Sequence, residues 1–334
     1  MTIKKYLKNP RLFGLALARR LTFIPDKTYL RLIYLFNMGK PLNLNNPKTF
    51  QEKLQWLKIN NRLPVMTTMV DKDTVKQFVA KRIGDRYIIP SLGAWNSVDE
   101  IDFNQLPEKF VLKTTHGGGG GGIVICKNKS TFDRSEAKAI LDRSLKHDLY
   151  RNFREWPYRD ASRRIIAEQL LEMPDNSEIS DYKIFCFNGK PRFLKVDFGR
   201  FVEHHANYYD LDWRILPFGE EGLMPVPTHK IPKPTNLNEM LDIAIKLSSG
   251  QPFLRVDLYN IAGQIYFGEL TFYPGSGLIH FRPIEWDIKI GDMLNILTNC
   301  ASTENPIASG GGGGIPLIFN KLYYSNIYIC RISA

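Results

Sequence analysis

Arg255 to Gly277 reads RVDLYNIAGQIYFGELTFYPGSG, two apolar strand-like runs that each carry one acid, Asp257 in the first and Glu269 in the second. Apolar residues surround both: Phe253, Leu254, Val256 and Leu258 around one, Ile265, Tyr266, Phe267 and Leu270 around the other. A carboxylate buried in such a strand is costly unless a cation or a hydrogen-bond network compensates it, so two together point to a hard cation held by oxygens. The same letters also suit a hairpin turn, DLYN and AGQ, in which Asp257 only caps the loop. Thr271 tips the balance toward metal: an acid and a hydroxyl two residues apart on a strand share one face, and Pro274-Gly275 then ends the strand.

Upstream, Phe110-Val111-Leu112-Lys113 is a short buried-type strand that ends in a lysine. Thr114, Thr115, His116 and six glycines, Gly117 to Gly122, follow, and Ile123 to Cys126 returns as a second strand before Lys127. Backbone N–H groups of glycines can close over phosphate oxygens while the lysine adds a point charge, so the segment reads as a lid over an anion or else as a bare hairpin tip. It fits neither the Walker pattern nor GxGxxG in a βαβ unit. RIIAEQLLE, Arg164 to Glu172, ends a strand with Glu168 and Glu172 four residues apart, and on its own terms is an edge strand with solvated ends. Lys183 sits in the first strand of the hairpin DYKIFCFNGKPRFLKV, facing either a phosphate or solvent. His116, His204 and His205 read as hydrogen-bonding surface residues, and Trp156-Pro157-Tyr158 as core or as a sugar platform.

The first sixty residues read as helical and basic, with helices over Pro10–Leu21, Lys27–Met38 and Asn46 through Leu57, and Asp71–Ile83 reads as another helix. Tyr87 to Trp95 reads as a strand. Beyond Phe110 the pattern becomes strand-rich, with a helix over Arg134–Asp148, a polar loop region reaching Pro234, and a helix over Leu237–Leu247. Strands alternating with helices and hairpins predict an α+β fold with antiparallel sheets. The divisions expected are 1–100 as a helical N-terminal region, 101–172 with the glycine flap, 173–298 with the acid pair, and 299–334 as a glycine linker, Gly310 to Gly314, and an apolar tail.

Hydrophobic residues make up 43% of the 334, enough for a sizeable core in two or three closely packed subdomains. Phe13 to Ala18, the longest apolar run near the start, is too short to span a bilayer and is cut by Arg19-Arg20, so neither a signal peptide nor a spanning helix is expected. Cys126, Cys186, Cys300 and Cys330 lie far apart without CxxC spacing, which argues against zinc or a disulfide framework and for a reducing, cytoplasmic setting. A formal charge of +11 calls for anionic partners. With the basic residues spread along the chain and no nucleic-acid signature among them, nucleic acid is not expected. The basic amphipathic start leaves the inner membrane face as a candidate peripheral surface.

Together these stretches resemble the ATP-grasp superfamily and, more narrowly, the TupA-like ATP-grasp proteins of bacterial cell-surface polysaccharide and teichuronopeptide synthesis. The resemblance spans roughly residues 1 to 297. It is carried by NPKTFQEKLQWLK (Asn46–Lys58), VDK (Val70–Lys72), FVLKTTHG (Phe110–Gly117), REWPYRD (Arg154–Asp160), RIIAEQLLE, DYKIFCFNGKP, NYYDLDW (Asn207–Trp213), and RVDLYN with YFGELTFYPGSG. It implies an ATP-grasp fold, with antiparallel sheets sandwiching ATP behind the helical N-terminal region, and an ADP-forming carboxylate–amine ligase that uses Mg2+. Lys113 and Lys183 look like the phosphate lysines. Gly117, Gly118, Gly119 and Gly120 look like the flap, Glu168, Gln169 and Leu171 the adenine hinge, and Glu172 the ribose ligand. Asp257 and Glu269 match the magnesium acids, and Thr271 stands where many such enzymes have asparagine. The flap has lost the acid and hydroxyl of the HDSGG-like pattern. Arg255, with Arg192 and Arg200, is a candidate for an acidic substrate; an acidic sugar or glycan and an amine or amino acid are the expected partners. A glycosyltransferase or sugar kinase of the same pathway, pointed to only by the DLD at Asp210 to Asp212, and a nucleotide-binding scaffold without turnover are the rival readings.

Overall fold

The computed structural model describes residues 23–117, 121–199 and 203–296, all of which fall in one compact unit, Met1–Ile296. The expected helix over Pro10–Leu21, the run Gly310–Gly314 and the tail to Ala334 lie outside the described residues.

Four helices open the described part: α1 (Asp26–Met38), α2 (Phe50–Asn60), α3 (Val65–Val70) and α4 (Thr74–Ile83). The start of α2 is a reciprocal cap in which Thr49 Oγ1 accepts from the Glu52 N–H at 3.3 Å and Glu52 Oε2 accepts from the Thr49 N–H at 3.1 Å. The helix expected from Asp71 begins three residues later, because Asp71 Oδ1 accepts the N–H groups of Asp73 and Thr74 at 3.0 and 2.9 Å and so ends the preceding chain.

One sheet is antiparallel, in the order β1-β4-β2-β3, from β1 (Ser91–Trp95), β2 (Phe110–Thr114), β3 (Ile123–Cys126) and β4 (Ile165–Gln169). Alternation sends Phe110, Leu112, Ile165 and Ala167 into a core with Leu141 of α5 (Arg134–Leu145). The register Val111↔Glu168 and Lys113↔Ile166 turns Lys113 and Glu168 to the other face.

A second antiparallel sheet runs in the order β10-β9-β5-β6-β7, from β5 (Asp181–Phe187), β6 (Lys190–Phe198), β7 (His205–Tyr209), β9 (Phe253–Ile261) and β10 (Gln264–Thr271). A small pair, β8 (Gly219–Glu220) and β11 (Phe281–Arg282), stands apart. The five-stranded sheet buries Ile184, Cys186, Leu194, Val196, Leu254, Val256 and Leu258 on one parity, where Cys186 Sγ lies 3.9 Å from the Ala244 carbonyl of α7 (Leu237–Ser248). The other parity divides in two. Its aromatic end joins Phe185 and Phe193, stacked at 4.6 Å, to Phe253 and to Phe50 of α2, edge-on at 5.0 Å, each such pair stabilising by about 0.5–1.5 kcal/mol beyond its buried area. Its other end is charged. β7 falls in what reads as polar loop; Ala206, Tyr208 and Tyr209 are buried there and pair with β6. α6 (Leu149–Phe153) and α8 (Glu285–Met293) complete the fold, α8 held to α2 by the Gln51 N–H donating to Asp287 Oδ1 at 3.0 Å.

Candidate active site

Asp257 and Glu269 are direct partners across β9 and β10, and Arg255 faces Thr271. The turn between the strands falls at Ala262-Gly263, so Asp257 is a mid-strand residue and not a loop cap. A bulge makes the pairing. Phe267 opposes Leu258, and Gly268 is then skipped so that Glu269, not Gly268, opposes Asp257. A Cβ at Gly268 would stand 3.1 Å from the Asp257 carbonyl and 3.2 Å from the Tyr259 ring, closer than a side chain sits comfortably.

Arg255 binds both acids: Nε and Nη2 donate to the two Asp257 oxygens at 2.7 and 2.6 Å, and Nη2 also reaches Glu269 Oε1 at 3.0 Å. Thr271 Oγ1 donates to the same Glu269 oxygen at 3.2 Å. Lys183, opposite Asp257 in the β5–β9 register, bonds Asp181, Asp197 Oδ2 at 2.7 Å and, more distantly, Asp257 Oδ2 at 3.9 Å. Lys195 continues the row to Asp197 Oδ1 at 3.6 Å and Glu220 Oε1 at 2.6 Å, and His204 Nε2 lies 2.9 Å from Asp197. Burial pushes the Asp257 carboxyl up to about 7, with Glu269 and Asp181 adding to it against Arg255 and Lys183. For Asp197 burial is outweighed by Lys183 and Lys195, which hold it well below the usual carboxylate range. Glu269 is likewise held down despite burial, by Lys72, Arg255 and Lys183.

On the four-stranded sheet, Lys113 Nζ bonds Glu168 Oε2 at 2.6 Å and Lys76 Nζ bonds Glu168 Oε1 at 2.7 Å. The two lysines hold Glu168 below its usual range although burial opposes them. Lys72 stands between the two sheets. Its ammonium donates to the Gly117 carbonyl at the foot of the glycine loop, its N–H donates to the Thr115 carbonyl at 3.0 Å, and it feels the charges of Glu269, Lys113 and Glu168. Burial and Lys113 push its pKa down.

The glycine loop connects β2 to β3 as an antiparallel pair. Gly117 and Gly122 must lack a Cβ: at Gly122 it would meet Ser144 Oγ and Thr114 Oγ1, which are themselves bonded at 2.7 Å. Gly118, Gly119 and Gly120 lie outside the described residues, as does Arg200. His116 is buried beside the loop, its Nε2 3.1 Å from the His147 carbonyl, and burial and Arg163 lower its pKa.

Glu168 therefore turns its carboxylate inward, while Gln169 is exposed and anchored through its N–H to the Pro90 carbonyl at 3.1 Å. Leu171 and Glu172 follow the end of β4, Glu172 paired with Lys109 at 2.8 Å on the surface. Arg192 is exposed and is the residue skipped where Phe193 opposes Phe185 and Pro191 opposes Cys186. The DLD acids sit in a tight turn where Asp210 Oδ1 accepts the Arg214 N–H at 2.8 Å and Asp212 pairs with Arg214 at 3.2 Å.

Sequence reading assigned no role to Lys72, Lys76, Lys195, Asp181 or Asp197. Alternating charges at period two, Asp181/Lys183 and Lys195/Asp197, inside otherwise apolar strands were the available signal, as was the Lys72/Lys76 spacing at a helix start. The whole is a lattice of alternating charge, able to hand its cations to an anionic ligand and its acids to a metal. No group of three or more His, Cys, Asp or Glu stands ready for a metal among the described residues. The two opposed carboxylates, Asp257 and Glu269, are oxygen donors that would suit a hard cation such as Mg2+.

The profile of the TupA-like ATPgrasp family matches residues 52–295. Among solved structures, D-alanine--D-alanine ligase from Bacillus anthracis is similar at 14% identity over 65% of this chain and 63% of its own, with a TM-score of 0.38. The ADP complex of purK, N5-carboxyaminoimidazole ribonucleotide synthetase, is similar at 16% identity over 66% of this chain and 50% of its own, with a TM-score of 0.41. The ATP-grasp ligase PsnB complexed with minimal precursor is similar at 12% identity over 87% of this chain and 73% of its own, with a TM-score of 0.38. Comparison with curated proteins yields no match.

Proposed function

Because the chain belongs to the TupA-like ATP-grasp family, we propose that it is an ATP- and Mg2+-dependent carboxylate–amine ligase that modifies a uronic acid unit of a cell-surface polysaccharide with an amine or amino acid. One observation carries the reading: Asp257 and Glu269 oppose each other beside Arg255 and Lys183 on one sheet, and Lys72 links them to Lys113, Lys76 and Glu168 on the other. Bound MgATP supplies the phosphoryl group that turns a carboxylate into an acyl phosphate, which an amine opens with release of phosphate. Lys113, Lys76 and Lys183 offset charge on the phosphates, positions that Glu168, Asp181 and Asp197 neutralise meanwhile. Asp257 and Glu269 would hold the metal, with Thr271 as an auxiliary oxygen, and the metal would neutralise phosphate charge there.

Arg255, a planar fork within reach of both acids, suits the acceptor carboxylate. The Gly117–Gly122 run corresponds to the flap of the family, and its wealth of glycine would make closure over the phosphates entropically costly. Gln169 and Leu171 border the adenine, and Glu172, once released from Lys109, meets the ribose. The test is phosphorus NMR of the protein with MgATP, with and without pooled uronic acid glycosides and amino acids, beside Asp257→Ala. ADP and phosphate that depend on added substrate and vanish in the variant support the ligase. Release of UDP or GDP from a sugar donor with ATP untouched, or equal turnover by the variant, overturns it.

A further inference from the structure

The exposed side of α1 is suited to an anionic surface, and it carries none of the residues given a role in nucleotide chemistry above. Tyr29, Leu30, Ile33 and Tyr34 turn inward, while Lys27, Arg31 and Leu35, at successive four-residue steps, are exposed in one stripe. Phe23, just before the helix, is 81% exposed, and Leu35 43%. The helix holds one acid, Asp26, and that acid is withdrawn from the stripe: Arg62 Nη2 bonds it at 2.6 Å, Arg154 Nε at 3.0 Å and Tyr150 OH at 3.2 Å. Cations and large apolar side chains thus share the face of a helix whose one acid, Asp26, is engaged by Arg62, Arg154 and Tyr150.

We propose that this surface, Phe23, Lys27, Arg31 and Leu35, seats the protein on an anionic lipid bilayer. A bilayer is the occupant that uses both kinds of residue: the cations meet the headgroup charge and the Phe and Leu enter the boundary beneath it. A soluble polyanion would use the cations and leave Phe23 in water. Residues 1–22 of the sequence carry Lys4, Lys5, Lys8, Arg11, Arg19 and Arg20 and no acid, so the charge adjoining Phe23 in the chain is of the same sign. A single such contact is weak, and several basic residues acting with the apolar ones are needed for stable attachment. This places the ligase chemistry beside a membrane without depending on it.

The experiment is co-sedimentation of the full chain with vesicles of phosphatidylcholine alone and of phosphatidylcholine with about one-third phosphatidylglycerol, in low and high salt. Binding is expected only to the anionic vesicles and is expected to fade in high salt. At about fivefold per basic residue, Lys27→Gln with Arg31→Gln weakens it about thirtyfold. Phe23→Ser with Leu35→Ser, whose side chains support no core, weakens it about tenfold or more with unchanged thermal unfolding. Absence of binding, equal binding to neutral vesicles, or full binding by both variants, which would assign it to residues 1–22 alone, overturns the proposal. So does retention on polyglucuronate that is indifferent to Phe23 and Leu35, or a dimer in solution that the Leu35 variant dissolves while vesicles are ignored.

Discussion

Glu168→Gln removes one buried carboxylate that two partly buried lysines share. In the native chain its oxygens lie 2.6 Å from Lys113 Nζ and 2.7 Å from Lys76 Nζ, and the three side chains are only 7, 17 and 13% exposed. Breaking a buried pair and leaving the cation uncompensated costs about 3–5 kcal/mol. Glutamine still accepts a hydrogen bond from one lysine, and Lys76 keeps the Ile89 carbonyl at 3.1 Å, so the loss should fall at the low end, about 3 kcal/mol. Urea unfolding followed by tryptophan fluorescence reads this as a midpoint lower by about 1 M, taking a slope of about 3 kcal/mol per M. The sign of the pH dependence is fixed by the direction of the shift. Glu168 titrates lower in the fold than unfolded, so its stabilisation is present above the unfolded pKa, about 4.3, and is lost as pH falls through the folded value. The gap between native and variant must therefore close in acid. Phosphate or MgATP should stabilise the variant more than the native chain, because the anion no longer competes with Glu168 for the lysines. A loss under about 1 kcal/mol at neutral pH, or a gap that persists unchanged in acid, refutes the reasoning.

Asp257→Asn and Glu269→Gln should each weaken Mg2+-dependent ATP binding by about tenfold or more, measured by calorimetry at varied Mg2+, while ATP binding in EDTA changes little. Gly122→Ala should cost about 1–3 kcal/mol of stability, because its Cβ meets Ser144 Oγ and Thr114 Oγ1; adding Ser144→Ala should return part of the loss in thermal unfolding. Lys58→Met should cost about 3–5 kcal/mol, since the fully buried ammonium donates at 2.8 Å to the Phe153 and Ser276 carbonyls beside Glu155, and adding Glu155→Gln should cost less than the two changes summed. Burial lowers Lys58 to about 8, below an unfolded value of about 10.4, so the unfolded chain holds more protons between them. Native stability should therefore rise across that window relative to Lys58→Met, as denaturation at stepped pH will show.

What the sequence made legible and what it hid divide along one physical line, that between what a strand does to its own side chains and what it does to a neighbour's. Period two within a strand placed Glu269 and Thr271 on one face and set Lys113 before a glycine loop, and both features survive in the fold. Register between strands left no such trace. Lys183 meets Asp257 because β5 lies beside β9, and Lys195 meets Glu220 because β7 and β8 frame that edge, partners distant in the chain. β7 was hidden by its His and Asn, since hydropathy cannot tell a polar loop from a strand whose Asn207 is buried by bonds to the carbonyls of Val226 and His229 at 3.2 and 3.0 Å. Lys72 and Lys76 drew no role from the sequence, and only the fold sets Lys76 against Glu168 and Lys72 against Gly117. The sharpest case is Gly268. In an unbroken ladder Gly268 would oppose Asp257, and Glu269 would share the parity of Phe267 and Leu258, pointing into the apolar layer over α7. Skipping one residue sends Glu269 to the charged face instead, so the acid pair exists through a glycine that carries no charge and no motif of its own. Gly268→Val, which fills the bulge and favours a regular ladder, should accordingly damage metal binding as severely as loss of Glu269 itself, and metal affinity left intact in that variant would refute the account.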